Sequence, residues 1–274
     1  MQQKTKNCIN PIDIVKLTRL QKMLIALQKV IILFSGGVDS SLLLKVAADT
    51  LGEGVTALTF WGPHCPAGEL AEARELAQTL GLRHLEQEFD PLQLPDFRHN
   101  TLERCYACKK EIFTRGNKIL AAWGGKALLD GANWDDLQDF RPGQRAAREL
   151  GIRSPLQEIG LTKEEIRTLS QSMGLPQWNK PSQSCLATRF PTNTLITREL
   201  LGKVATAEEF LQQHGFAPVR LRVHDLLVRL ELPPEQWPRL MEEGVRLALA
   251  DHIQQLGWRY LTLDLKGYQT GSMN

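Results

Sequence analysis

The chain has 274 residues, 42% of them hydrophobic and 23% charged, with 33 basic against 31 acidic side chains for a net charge of +2. That length suits one large domain or an ordinary domain with a smaller companion, and the composition excludes a disordered or fibrous chain. The near balance of charge argues against avid nucleic-acid binding, while the opening Met1-Gln2-Gln3-Lys4 and an apolar stretch, Met23 to Phe34, broken by Gln28 and Lys29 argue against a signal or membrane-spanning segment, so a cytoplasmic location is expected.

Pro11 to Gln28 carries apolar residues at helical spacing (Ile14, Leu17, Leu20, Leu24, Leu27), and Val30 to Phe34 reads as a fully buried strand. The Gly-rich segment Ser35-Gly36-Gly37-Val38-Asp39-Ser40-Ser41 follows. Ser41 to Leu51 reads as a helix, Gly54 to Phe60 as the next strand, Glu69 to Leu80 as a helix, and a short strand is expected near Leu82 to Glu88. A helix over Cys108 to Ala122 and a strand at Lys126 to Asp130 continue the alternation. Such βα repetition predicts an α/β fold, an open parallel sheet with helices on both faces. Thr162-Lys163-Glu164-Glu165 is a capping box that opens another helix, ended by Gly174 and Pro176.

Pro176 to Pro191 is polar and irregular and reads as a seam. Beyond it come a helix (Thr197 to His214), strands at Val219 to Val223 and Leu226 to Leu232, a helix after Pro233-Pro234 and a strand at Tyr260 to Asp264. This order departs from the first pattern, which predicts a smaller C-terminal α+β domain over 186–274, for substrate binding or oligomerisation, after a nucleotide domain over 1–185. A homo-oligomer is expected.

A buried strand entering a Gly-rich loop and then a helix aims backbone N–H groups at an anion. Gly36 and Gly37 admit close backbone approach, Ser35, Ser40 and Ser41 add hydroxyls, and Asp39 suits Mg²⁺ held against a phosphate. The spacing is not that of a Walker A loop, and no lysine stands where that loop would have one. The plainer alternative is a Gly-Gly turn with Asp39 as a helix cap. The six residues Ser35 to Ser40 resemble the PP-loop of the ATP-pyrophosphatase superfamily. That resemblance implies ATP bound through Ser35, Gly36, Gly37, Val38, Asp39, Ser40 and Ser41, with Phe60 near the adenine, Mg²⁺ on Asp39, and a substrate oxygen attacking the α-phosphate so that an adenylate forms and pyrophosphate leaves.

Five cysteines are present: Cys8, Cys65, Cys105, Cys108 and Cys185. Arg104-Cys105-Tyr106-Ala107-Cys108-Lys109-Lys110 sets two thiols one helical turn apart, able to ligate a metal or cluster or simply to sit partly buried at a helix start. Lys180-Pro181-Ser182-Gln183-Ser184-Cys185-Leu186-Ala187-Thr188-Arg189-Phe190-Pro191 places Cys185 among cations, Lys180 and Arg189, that favour a thiolate. This loop resembles the signature of the LarE family of ATP-dependent sulfur transferases, which make a nickel-pincer nucleotide cofactor. Asp96-Phe97-Arg98, Asp130-Gly131-Ala132-Asn133-Trp134-Asp135-Asp136, Arg141-Pro142-Gly143, Arg153-Ser154-Pro155-Leu156 and Leu261 to Met273 agree with it.

The resemblance implies a nicotinate-derived mononucleotide whose pyridinium carboxylate is adenylated and becomes a thiocarboxylate. It also implies one of two sulfur sources. Either Cys185 gives up its own sulfur and ends as dehydroalanine, or Cys105, Cys108 and Cys185 hold a [4Fe-4S] cluster open to exogenous sulfide. Three thiols favour the cluster; zinc on the same cysteines is the runner-up. A tRNA thiolase is the nearest rival, but no basic or RNA-binding appendage is evident, and an amide-forming ligase would not need the cysteines. His64 and Cys65 are unexpected departures from the family pattern; Cys65 reads as non-ligating and Cys8 as incidental.

Asp130, Asn133, Asp135 and Asp136 follow a buried strand, where Mg²⁺, ribose or substrate contacts and a plain Asp/Asn turn are both open readings. Arg220 and Arg222 share one strand face, extended by His224, and suit a substrate phosphate or a solvated face; Arg189 is grouped with them for substrate. Glu208 and Glu209 could assist metal or proton handling but read as solvent-facing, and His214 reads as a capping residue.

Overall fold

The computed structural model describes residues 10–138 and 142–269; Cys8, Arg141 and the closing Thr270 to Met273 lie outside the described residues. In chain order the elements are α1 (Pro11–Leu27), β1 (Val30–Leu33), α2 (Val38–Leu51), β2 (Val55–Trp61), α3 (Glu69–Thr79), β3 (Arg83–Glu88), α4 (Pro95–Arg98), α5 (Arg104–Trp123), β4 (Ala127–Leu129), α6 (Pro142–Glu149), α7 (Pro155–Glu158), α8 (Lys163–Ser172), α9 (Arg198–Gln213), β5 (Arg220–His224), β6 (Leu227–Glu231), α10 (Trp237–Leu240), α11 (Glu243–Gln255) and β7 (Tyr260–Leu263). No helix among the described residues is long and apolar enough to cross a membrane. The residues fall into two compact units, one drawn from Met1–Trp61, Gly68–Phe89 and Cys105–Gln183, the other from Gly62–Ala67, Asp90–Arg104 and Ser184–Asn274.

The first unit is the expected open sheet, all parallel, in the order β3-β2-β1-β4. β1, β2 and β4 are buried on both faces, which is why β1 is an unbroken Val-Ile-Ile-Leu run, while the edge strand β3 has no buried residue. Side chains alternate between two cores. Val30, Ile32, Val55, Ala57, Ala127 and Leu129 pack with α1, α2, α3 and α8 residues such as Leu20, Leu43, Leu76 and Leu169; Ile31, Leu58 and Leu128 pack with Phe113 of α5 and Ala146 and Ala147 of α6. The order places β1 between β2 and β4, so chain direction around the sheet switches at the β1/β4 boundary, the place where open α/β sheets carry their ligands. The loops after these two strands are residues 34–37 and 130–134.

One helix bound and two unexpected helices differ from expectation in a way that matters. α5 starts at Arg104 rather than Cys108, so Cys105 lies in its first turn and Cys108 opens its second. The segment after β4 holds two further helices, α6 and α7, too short for a periodic signal to reveal. α8 opens with the capping box as read: Thr162 accepts from Glu165 N, and the Glu165 carboxylate accepts from Thr162 N.

The second unit is built on the sheet β5-β6-β7, with β5 and β6 antiparallel and β6 and β7 parallel. α9 buries Leu201, Val204, Ala207 and Leu211, and its C-cap His214 binds Phe210 O through Nδ1 at 2.7 Å, in keeping with the capping role read for it. Glu208 overturns its reading as a solvent-facing residue. It is 4% exposed on the buried face of α9, while Glu209 beside it is exposed.

Candidate functional site

In the first unit the candidate residues of the phosphate loop and of the loop after β4 gather where β1 and β4 end. α2 begins at Gly37, an N-cap with no side-chain capping bond, so the first N–H groups of the helix have no cap. Asp39 is therefore not the helix cap of the plainer reading. Its Oδ2 is paired with Lys163 Nζ and its Oδ1 accepts from Asn133 Nδ2 at 3.3 Å. Gly36 has φ +73, a conformation that favours glycine, and Ser35 Oγ lies 3.3 Å from Ser40 Oγ. Ser41 Oγ is buried with no hydrogen-bond partner among the described residues. Val38, named with the loop, turns its side chain into the core at 4% exposure, so only its backbone is placed to meet a ligand.

The loop after β4 is fastened to this helix start. A methyl group on Gly131 would meet Ser40 N at 3.0 Å and Ser40 Cα at 3.1 Å, so only glycine lets the two backbones come this close. Asn133, 5% exposed, is the hub: its Oδ1 accepts from Asp135 N and Asp136 N, its O from Gln157 Nε2, and its N donates to Asp136 Oδ2. Asp135 Oδ2 accepts from Lys163 N at 2.8 Å, which holds the start of α8 against this loop, and Asp130 Oδ1 accepts from Ser154 Oγ at 2.6 Å. Sequence reasoning passed over Lys163, because a lysine inside a capping box reads as a solvated helix residue and 124 residues separate it from Asp39. Phe60 stands at the end of β2 with its ring edge on Phe89, centroids 6.3 Å apart.

Cys105 is exposed and Cys108 half-buried. Around them Tyr106 donates to Glu149 Oε2 at 2.6 Å under the Arg145 guanidinium, 3.8 Å from its ring, and Gly143 admits Lys109 so closely that an added methyl would meet its Cγ at 3.0 Å. Their i, i+3 spacing puts both thiols on one side of the start of α5, a donor set that fits a soft metal or an iron–sulfur cluster. Among the described residues no group of three or more His, Cys, Asp or Glu side chains is gathered to hold a metal ion.

In the second unit Cys185 is half-buried at the start of a turn over Leu186–Arg189, its carbonyl accepting from Thr188 N at 2.9 Å and Thr188 Oγ1 at 2.8 Å. Arg189 makes a bidentate bond with Glu208, Nε–Oε1 2.8 Å and Nη2–Oε2 2.9 Å, and donates through Nη1 to Ser184 O, Ser184 Oγ and Thr188 Oγ1. Burial works against this guanidinium's charge, but the Glu208 carboxylate outweighs it, with help from Cys185, and its pKa lies above the ordinary arginine value. Glu208 Oε1 also accepts from Leu221 N. Arg222, 1% exposed, binds Glu231 and donates to Thr188 O at 2.8 Å. Arg220 is buried under Tyr268, 4.8 Å from the ring centroid, and burial, with Arg189 and Arg222 nearby, depresses its pKa. Neither arginine is on a solvated face. His224, which ends the strand, is exposed, and partial loss of water around its ring, with Arg229 and Arg222 nearby, lowers its pKa.

Comparison with known proteins agrees with this architecture. Residues 20–118 match the family model described as asparagine synthase. The chain is 41% identical over 259 residues to an uncharacterised protein of Synechocystis, covering 94% of this chain and 97% of that one. It is 39% identical over 249 residues to the pyridinium-3,5-bisthiocarboxylic acid mononucleotide synthase of Lactiplantibacillus plantarum, covering 90% of each, and 30% identical over 246 residues to an uncharacterised protein of Methanocaldococcus jannaschii, covering 89% of this chain and 92% of the other.

Proposed function

The chain belongs to the LarE family of ATP-dependent sulfur transferases, and from that membership we propose that it adenylates a pyridinium carboxylate mononucleotide in the cytoplasm, releases pyrophosphate, and exchanges the adenylate for sulfur to leave a thiocarboxylate. The observation that carries this reading is the uncapped start of α2, with the buried Ser41 hydroxyl beside it and a carboxylate, Asp39, next to an ammonium, Lys163. N–H groups and an ammonium suit the β- and γ-phosphates, and a carboxylate at that place suits the Mg²⁺ that travels with them. With ATP and Mg²⁺ bound, Lys163 would pair with phosphate and Asp39 would hold the metal, each giving up the other. Pre-arranged donors meet the charge that builds on the departing pyrophosphate, which is the main electrostatic contribution such a site can make. Asn133 and Asp135 set the angle of Asp39 and α8, so we assign them to positioning.

For the sulfur step we propose Cys105, Cys108 and Cys185 as the thiolates of a [4Fe-4S] cluster. Such a cluster would supply an open iron able to carry sulfide when bound. The chain's own contribution is to hold Cys185 near Arg189, itself locked by Glu208. Arg220 and Arg222 are proposed for the substrate phosphate, with Arg222 fixed by Glu231 and Arg220 covered by Tyr268.

The test is anaerobic turnover with ATP, Mg²⁺, a pyridinium-3,5-dicarboxylate mononucleotide and sulfide, following pyrophosphate and product mass. Thiocarboxylate formed in step with pyrophosphate is expected. Pyrophosphate release that responds to a tRNA pool and not to the mononucleotide overturns the reading. Intact-protein mass separates the sulfur sources: loss of H₂S from Cys185 marks sacrifice of its sulfur, and an unchanged chain with iron content abolished by Cys105→Ala marks the cluster.

A further inference from the structure

Cys65 lies in the second unit beside Cys185, although 120 residues of sequence separate them. Leu186 N donates to His64 O at 2.9 Å, so the peptide unit that leaves Cys185 is bonded to the peptide unit that enters Cys65. By standard backbone dimensions this holds the two Cα atoms within about 8 Å, close to the roughly 4.4–6.8 Å that disulfides span. Both backbones are pinned: Cys65 N donates to Gly62 O at 3.1 Å, and the Cys185 carbonyl accepts twice from Thr188. Both side chains are half-buried thiols within reach of small solutes. His64 supplies a base, because its Nε2 lies 3.6 Å from Cys65 Sγ while its ring is 8% exposed and set edge-on to Phe97.

We propose that Cys65 is the resolving thiol of Cys185, closing a reversible Cys65–Cys185 disulfide when a peroxide oxidises Cys185. The Cys185 thiolate attacks the peroxide, the O–O bond breaks, and Cys185 becomes a sulfenic acid while hydroxide takes up a proton. Cys65 then passes its proton to His64 Nε2 and attacks Cys185 Sγ; the S–S bond forms, the S–O bond breaks, and the hydroxide leaves as water with the proton from His64. Two thiols lose two electrons and hydrogen peroxide is reduced to two waters. The disulfide removes Cys185 from sulfur chemistry but keeps it recoverable by a dithiol, whereas an unresolved sulfenic acid goes on to the irreversible sulfinic acid. The consequence for sulfur transfer rests on Cys185 being the working thiol, as proposed above; the pairing itself does not.

The experiment uses the full-length chain, reduced and gel-filtered into chelator, then treated with equimolar hydrogen peroxide, alkylated and digested without reductant. The expected product is a cross-linked pair of peptides carrying Cys65 and Cys185, two hydrogens lighter than their sum and released by dithiothreitol. In Cys65→Ser given two equivalents of peroxide the Cys185 peptide is expected as sulfinic acid, and, with iron, sulfide and Mg²⁺ restored, sulfur transfer lost to peroxide does not return after dithiothreitol as it does in the unaltered chain. Cys185 joined to Cys105 or Cys108, or Cys65 still alkylated while Cys185 is oxidised, overturns the proposal. A cross-link in a protein that transfers no sulfur would leave the pairing standing and remove the sulfur-transfer reading instead.

Discussion

The two units treat charge in opposite ways. In the first, Asp39 and Lys163 meet at a helix start with side chains 23% and 32% exposed, beside an uncapped row of N–H groups; in the second, Arg189 and Glu208 are 3% and 5% exposed, and Arg222 and Glu231 are 1% and 0%. A half-exposed pair gains little from its own attraction and gives it up cheaply to a ligand. A buried pair cannot lose one member without leaving a charge out of water. Charges at the β1/β4 switch point are thus arranged to change partners, and those under β5 to stay as they are.

The sharpest way to break this contrast is to remove one partner from each unit. Glu208→Ala strands the Arg189 guanidinium and takes the acceptor from Leu221 N; a loss on the order of 3–5 kcal/mol is expected, read as a lower denaturant midpoint. Asp39→Asn should do the reverse, with stability nearly unchanged and ATP-dependent pyrophosphate release down on the order of 10²–10³-fold, as should Lys163→Ala. If Glu208→Ala unfolds no more easily than Asp39→Asn, the contrast fails.

Two smaller effects sharpen it. Gly131→Ala forces a methyl onto the backbone of Ser40, and overpacking of this kind costs roughly 1–3 kcal/mol; because the strain falls on the phosphate loop, weaker ATP binding by titration should exceed the fall in melting temperature. The smallest concerns His84, whose Nε2 lies 2.8 Å from Thr59 Oγ1, itself donating to Phe34 O at the entrance to the loop. Since the Thr59 proton is committed to Phe34, Nε2 must be the donor. Burial depresses the pKa of His84 below the ordinary 6.5, despite Glu86. Between the folded and the ordinary value the unfolded chain binds more protons, so stability rises with pH through that window and is lost as pH falls below about 6.5. Melting temperatures from pH 5 to 7 should show this slope, and His84→Gln should flatten it.

What the sequence determined is what neighbouring residues dictate to one another. A β-branched run entering Ser35-Gly36-Gly37-Val38-Asp39-Ser40 is a strand, a glycine turn and a helix start wherever it folds; Thr162 with Glu165 is a cap; Cys105 and Cys108 three apart in a helix share one side. The parallel sheet followed from the βα alternation for the same reason. Which distant side chains meet at those places was left to the tertiary structure. In the first unit the strand order, with β1 between β2 and β4, brings Asn133 and Lys163 to Asp39 and turns the turn-forming Asp135 into a fastening for α8; in the second, packing buries Glu208 as the counterion of Arg189 and bonds His64 O to Leu186 N. Such partners are separated by 19 to 124 residues and share no spacing rule. A buried charge or a bonded peptide is specified by what the packed elements place opposite it, and no window of sequence contains both halves.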